Sequence, residues 1–237
     1  MIKHIPYESL GHHNYQWLDA RYHFSFARYY NPARTGFGAL RVINDDIIKA
    51  GAGFDTHPHE NMEIITYVRQ GAITHTDSKG NKGRTGAGNV QVMSAGSGIY
   101  HSEYNLESEE TKLYQIWIAP NKQNVEPRWA QKEFPKSSVK NELPLLVSGF
   151  SEDEDKKALF IHQSARIYGG RINRGKSLNH NIKNQSYLLV SYGEIIINDT
   201  HTLQSGDGAE ITDIAAITLT ANGGSEILII EVPEQTN

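Results

Sequence analysis

An all-β fold is what the 237 residues predict, and three features carry that expectation: twenty-one glycines, many short apolar runs, and turn residues between them at near-regular spacing. Stretches with helical period are scarce. In chain order the strands read as "GALRVI", "EIITYVR", "AITHTD", "NVQVMSA" and "LYQIWIA", then "LPLLVS", "LFIHQ", "ARIYGGRI", "YLLVSYG", "EIIIND", "AITLTA" and "EILIIEV", with Gly-, Asn- and Asp-rich turns between them. So many short strands point to sandwiches or closed barrels.

The pattern breaks near "EPRWAQKEFPKSSVKNELP", where charge and proline interrupt the strands, and this stretch reads as the connection between two halves, 1–132 and 133–237. The acidic run "SEDEDKK" at 151–157 reads as a solvated loop between strands of the second half.

The halves resemble each other. "EIITYVRQGAITHTD" followed by "GAGNVQVM" has a counterpart in "QSYLLVSYGEIIIND" followed by "SGDGAEI", so an internal repeat is expected. Anchoring on Gly71 and Gly193 sets His57, His59 and Glu63 opposite Asn179, Asn181 and Gln185. Neutral amides lack the imidazole nitrogen or anionic oxygen that transition metals prefer, so any site in the first half has lapsed in the second. His180 has the wrong parity to substitute.

Composition excludes several classes. The net charge of −4 is spread through the chain, which argues against a nucleic-acid footprint. No apolar run approaches a membrane span, and "MIKHIPYESL" lacks the basic and apolar blocks of a secretory signal, so a cytoplasmic location is expected. The absence of cysteine removes disulfides, thiolate zinc sites and cysteine nucleophiles, leaving His, Asp and Glu to hold any metal.

Two clusters carry such residues. In "FDTHPHENME", His57 and His59 share one face of an extended segment; Glu63 keeps their parity and Glu60 breaks it. In "SAGSGIYHSEYN", His101 and Glu103 repeat the two-residue spacing, and Gly96 and Gly98 permit a tight turn before them. One pair cannot enclose an ion, but two can meet across a small barrel. Both Glu63 and Glu103 satisfy the parity requirement. His23 reads as a packed residue with a satisfied ring, His75 as hydrogen-bonded or exposed, and His12, His13, His162 and His201 as surface or core. Trp17, Trp117, Trp129 and the tyrosines fit either a core or a stacking surface for a planar ligand.

"GAGFDTHPHENME" resembles the first motif of the cupin superfamily and "GSGIYHSEYN" the second, with Gly96 at the usual proline position. Further segments, "WLDARYHFSFARYYNP", "GFGALRVINDD", "HTDSKGN" and "LYQIWIAP" followed by "EPRW", are similar to the pirin family, densely over the first 130 residues and loosely beyond. The chain resembles especially the bacterial pirin-like proteins with quercetinase activity.

The resemblance implies two cupin-type jelly-roll barrels packed together, with metal in the N-terminal one only. Its ligands would be His57, His59, His101 and Glu103, with Glu103 preferred because the segment "GIYHSEYN" is intact and Glu63 kept as an outer residue or alternative ligand. It further implies one divalent transition metal, iron first, with copper, nickel, manganese, zinc or cobalt as alternatives. The implied reaction is ring-opening oxygenation of a flavonol such as quercetin by O2, with Glu103 as proton acceptor and with a small planar phenol and O2 as the partners of a monomer. Two other readings stand beside it: a regulatory protein whose metal state controls binding to a protein partner, and a cupin isomerase or another dioxygenase acting on an enediol.

Overall fold

The computed structural model describes residues 1–234 as four sheets, two of seven strands and two of four, antiparallel except where Leu145–Ser148 runs alongside Leu159–Phe160. In the first half, the large sheet runs in the order Arg128–Lys132, Val90–Ser94, Glu63–Gln70, Thr111–Ile118, Leu40–Ile48, Leu18–Tyr22, Gly11–Asn14. Its small sheet is Gly53–His59, Ile99–Tyr104, Ala72–Asp77, Lys82–Gly86. The second half repeats the plan, with the large sheet centred on Gln185–Tyr192, Ser225–Val232 and Arg166–Ile172 and the small sheet on Ser177–Asn181, Ala216–Ala221 and Glu194–Ile197.

The two large sheets lie back to back, which explains why their strands read as almost unbroken apolar runs. Successive residues of a strand point to opposite faces. Tyr114, Ile116 and Ile118 therefore join Ile65, Tyr67, Tyr187, Leu189, Leu228 and Ile230 in one buried cluster between the halves. On the opposite face, Leu113 packs with Val68 and Ile73 toward the small sheet of its own half. Burying one such aliphatic side chain is worth about 1.5–3 kcal/mol, so this shared cluster contributes heavily to holding the halves together.

The halves differ in what fills them. Inside the second, Leu178, Leu188, Val190, Ile195, Leu219, Ile227 and Ile229 close up as an apolar core. Inside the first, the corresponding space holds polar side chains and a cavity.

Several expectations need correction. The strand Ile2–Ile5 pairs with Gly208–Ile211, so the start of the chain belongs to the large sheet of the second half. "EPRWAQK" is partly a strand, Arg128–Lys132 forming the sheet edge beside Val90–Ser94. The acidic run is a 3-10 helix, Ser151–Lys156, whose Asp153 is buried and paired with Arg166 at 2.6 Å rather than solvated. In Ser177–Asn181 the alternation places Asn179 and Asn181 outward and His180 inward, 3.3 Å from Glu231. The repeat therefore holds at the turns, where Gly71 and Gly193 both have positive φ of 72° and 80°, but not at the expected ligand register. No helix among the described residues is long and apolar enough to cross a membrane.

Candidate metal centre

Strand pairing brings the two histidine clusters together. Ile99–Tyr104 lies between Gly53–His59 and Ala72–Asp77, with His101 directly opposite His57 on one side and Asp77 on the other. Gly96 and Gly98, with φ of 49° and 123°, make the turn into this strand. A bulge between His101 and Glu103 shifts the register, so that Glu103 faces Phe54.

The ligand nitrogens of His57, His59 and His101 all lie within 4.8 Å of one another, and the Nε2 atoms of His57 and His101 are 3.1 Å apart. His57 donates from Nδ1 to the Asp55 carbonyl at 2.6 Å, which turns its Nε2 toward His101. Nε2 of His59 is buried without a partner. Burial and the neighbouring His57 hold the His59 ring down to about 4; burial and the surrounding imidazoles hold His101 to about 2. His59 and His101 thus resist protonation, and the three rings present nitrogen donors to one point. That donor set fits a divalent transition metal.

Glu103 stands on the same strand and lines the same cavity. Its carboxylate accepts from Thr66 Oγ1 at 3.2 Å, from Gln91 Nε2, and from Gln115 Nε2 at 2.5 Å. Burial still pushes it above the usual carboxylate range, against the lowering effect of His75 and these donors. The donors belong to a polar rung across the large sheet, in which Gln131, Gln91, Thr66, Gln115, Asn44 and Tyr22 are successive cross-strand partners.

Glu63 is placed elsewhere. The chain turns at Asn61, whose φ is +47°, and a new strand begins at Glu63, so parity does not carry through from His59. Glu63 shares its face with Ile65 and Tyr67 and looks toward the second half, accepting from Ser94 Oγ at 2.7 Å and from the backbone N–H of His162. Burial raises it to about 7.

The histidines open onto a cavity of about 420 Å³. Two edge-to-face aromatic pairs, Trp17 with Phe54 at 5.2 Å and Phe26 with Trp117 at 5.3 Å, contribute to its walls, while Asn44, Asp46, Glu103 and Gln115 supply polar groups. Asp46 is buried with Oδ1 unpartnered, and burial followed by repulsion from Glu103 raises it to about 8. Trp129, by contrast, stacks on His75 at 4.9 Å. His75 is fully buried, bonds Asp77 Oδ2 at 2.9 Å, and stands 3.4 Å from His101 Nδ1. His23 is buried too, but only Nδ1 is satisfied, by Tyr187 at 2.9 Å; Nε2 has no partner.

Asp46, Asp77 and the glutamines of the rung were absent from the residues singled out by sequence. The available signal was a lone polar residue in the middle of an apolar run, as in "NVQVMS" and "LYQIWI".

Comparison with known proteins identifies relatives over nearly the whole chain. The family model described as Pirin matches residues 4–118, and one described as Quercetinase C-terminal cupin domain matches residues 146–232. A pirin-like protein of Caulobacter vibrioides is 48% identical, covering 98% of this chain and 99% of its own length. A quercetin 2,3-dioxygenase of Escherichia coli K12 is 43% identical over 94% of this chain and 95% of its own. The crystal structure of the bacterial pirin YhhW from Escherichia coli in complex with nickel(II) superposes with a TM-score of 0.90 at 41% identity, covering 99% of this chain and 100% of that one. Likeness of this length and identity, together with the matched model of the first half, shows that the chain belongs to the pirin family.

Proposed function

We propose that this protein is a metal-dependent dioxygenase acting on a flavonol or a similar planar phenol, with the chemistry confined to the half ending at residue 132. One observation carries the reading: three imidazoles converge at the wall of a cavity whose other walls are largely aromatic. The names of the relatives support the substrate class, and the nickel in the related crystal structure supports a divalent metal. The apolar filling of the second half, from residue 133, supports leaving it without a metal.

His57, His59 and His101 would hold the ion, with Glu103 as the fourth ligand. When bound, a divalent transition ion supplies Lewis acidity toward a phenolic oxygen and open positions for substrate and O2. The chain supplies the rest. Trp17, Phe26, Phe54 and Trp117 offer ring faces and edges to a flat substrate and exclude water around it. Thr66, Gln91 and Gln115 fix the orientation of Glu103, and its raised proton affinity suits it to accept the proton of the reacting hydroxyl at a carboxylate oxygen.

The test is anaerobic purification, metal removal, and reconstitution with iron, copper, nickel and manganese in turn while following O2 uptake with quercetin. Uptake with at least one metal, matched to flavonol loss, is expected; its absence with every metal overturns the reading. Glu103→Gln at full metal occupancy should lose most turnover. Undiminished turnover would remove Glu103 as the proton acceptor.

A further inference from the structure

Polar residues in the middle of a buried strand cost stability unless something answers them. The strand Leu40–Ile48 carries three in succession, Asn44, Asp45 and Asp46, all buried. Alternation puts Asp45 on the face shared with Ile43, where it accepts from Arg69 Nη2. Asn44 and Asp46 face the other way and line the cavity beside the histidines, as does Gln115, the cross-strand partner of Asn44.

On each of these three an oxygen is left over. Oδ1 of Asn44, Oδ1 of Asp46 and Oε1 of Gln115 are buried without a partner, Gln115 having committed its Nε2 to Glu103. With Nε2 of His59 they make four of the nine such atoms among the described residues, gathered around one cavity. A buried acceptor without a donor is uncommon and calls for an explanation. The last torsion of an asparagine or aspartate is soft, so these oxygens turn readily to a ligand's hydroxyl, and a carboxyl keeps acceptor lone pairs in either protonation state. The charge of the lining is one-sided as well. Asp46, Asp55 and Glu103 belong to it, and among the described residues no lysine or arginine does.

We propose that Asn44, Asp46 and Gln115 are specificity residues: they accept hydrogen bonds from ring hydroxyls of the substrate that do not reach the metal, and with no cation beside them they turn away substrates that carry a carboxylate, sulfate or phosphate there. The proposal rests on the reading of this cavity as the flavonol site. A ligand that displaces water from these oxygens without supplying donors strands them, and one that brings a second negative charge buries it unpaired. The substrate is therefore an uncharged, hydroxyl-rich ring system rather than a phenolic acid or an anionic conjugate.

The test is binding, measured by calorimetry under nitrogen on the protein loaded with zinc, so that no turnover intervenes. Four ligands are compared: quercetin, 3-hydroxyflavone, which lacks the other ring hydroxyls, and 3-hydroxyflavone bearing on its phenyl ring either a carboxylate or the carboxamide of the same size. Quercetin should bind at least about tenfold tighter than 3-hydroxyflavone, and the carboxamide at least about tenfold tighter than the carboxylate. Asn44→Leu keeps the volume and removes the acceptor, so it should lower the preference for quercetin over 3-hydroxyflavone about 3- to 10-fold. Equal affinity of the wild-type protein for quercetin and 3-hydroxyflavone overturns the proposal even if the variant fails to fold; so does a carboxylate bound as tightly as the carboxamide, or a preference unmoved in a folded Asn44→Leu. Failure of all four to bind is a different result, which sinks the flavonol reading of the cavity and this proposal with it.

Discussion

His57 and His101, forty-four residues apart in the chain, bring their Nε2 atoms to 3.1 Å. His57 directs its Nδ1 to the Asp55 carbonyl, so Nε2 is the nitrogen it turns toward His101. The pair is therefore arranged for a shared cation. His57→Ala, His59→Ala and His101→Ala should each lower metal affinity by at least about a hundredfold, because an open position replaces a nitrogen donor. Equilibrium dialysis against a weak chelator checks this, and retention of wild-type affinity in any one would remove that residue from the ligand set.

Metal retention should be unusually insensitive to acid. Ordinary imidazoles near 6.5 take up protons as soon as pH falls below neutrality and release their metal. His59 and His101 remain neutral down to about 4 and about 2, so between pH 7 and pH 5 they offer protons no competition. Affinity measured by chelator competition should fall about tenfold or less per pH unit. A fall of a hundredfold or more per unit would show that these rings titrate normally.

Asp46 should make the apo protein less stable as the pH rises. Its folded value is raised to about 8 from the ordinary aspartate range. Stability from that group is full below the unfolded value near 4 and is lost progressively as pH rises toward 8. Asp46→Asn removes this loss, so the variant should match the wild type at pH 4 and melt several degrees higher at pH 8. Equal melting at both pH values would mean that Asp46 is not held protonated.

Trp17 packs on Phe54 and touches none of the histidines in its aromatic contacts. Trp17→Ala should therefore raise KM for a flavonol about 3- to 10-fold, the worth of one aromatic contact, with kcat changed less than about twofold. Steady-state O2 uptake separates the two constants. An unchanged KM would remove Trp17 from the substrate wall.

The seam between the halves can be probed at Tyr187, whose hydroxyl bonds both His23 at 2.9 Å and Arg34 at 3.1 Å. Tyr187→Phe strands the buried Nδ1 of His23, removes one of the bonds of half-buried Arg34, and should cost about 1–3 kcal/mol in denaturant unfolding. No loss would mean that neither bond contributes to stability.

Much of this architecture is legible in the chain. Strand runs such as "EIITYVR" and "LYQIWIA" announce themselves because both faces of each are buried, one against the other half and one inside its own. His57, His59 and His101 are visible because strand periodicity converts a two-residue spacing into a shared face. Periodicity fails where the chain turns. Asn61 ends the parity that would have sent Glu63 to the histidines, and an outward-facing Asn179 shows that a repeat need not preserve register. The rung beneath Glu103 was hidden for a different reason. Thr66, Gln91 and Gln115 are each a single polar residue in an apolar strand, and only sheet pairing reveals that they stand side by side. Asp77 and His75 are cryptic in the same way, since only strand pairing shows that they stand beside His101.

The central claim is most directly tested by diffraction from crystals of the protein saturated with zinc, a redox-silent probe, with data collected at the zinc absorption edge. The expected result is one anomalous peak in the first half, about 2.0–2.1 Å from the nitrogens of His57, His59 and His101. A peak held by other side chains, or none at that point, would contradict it.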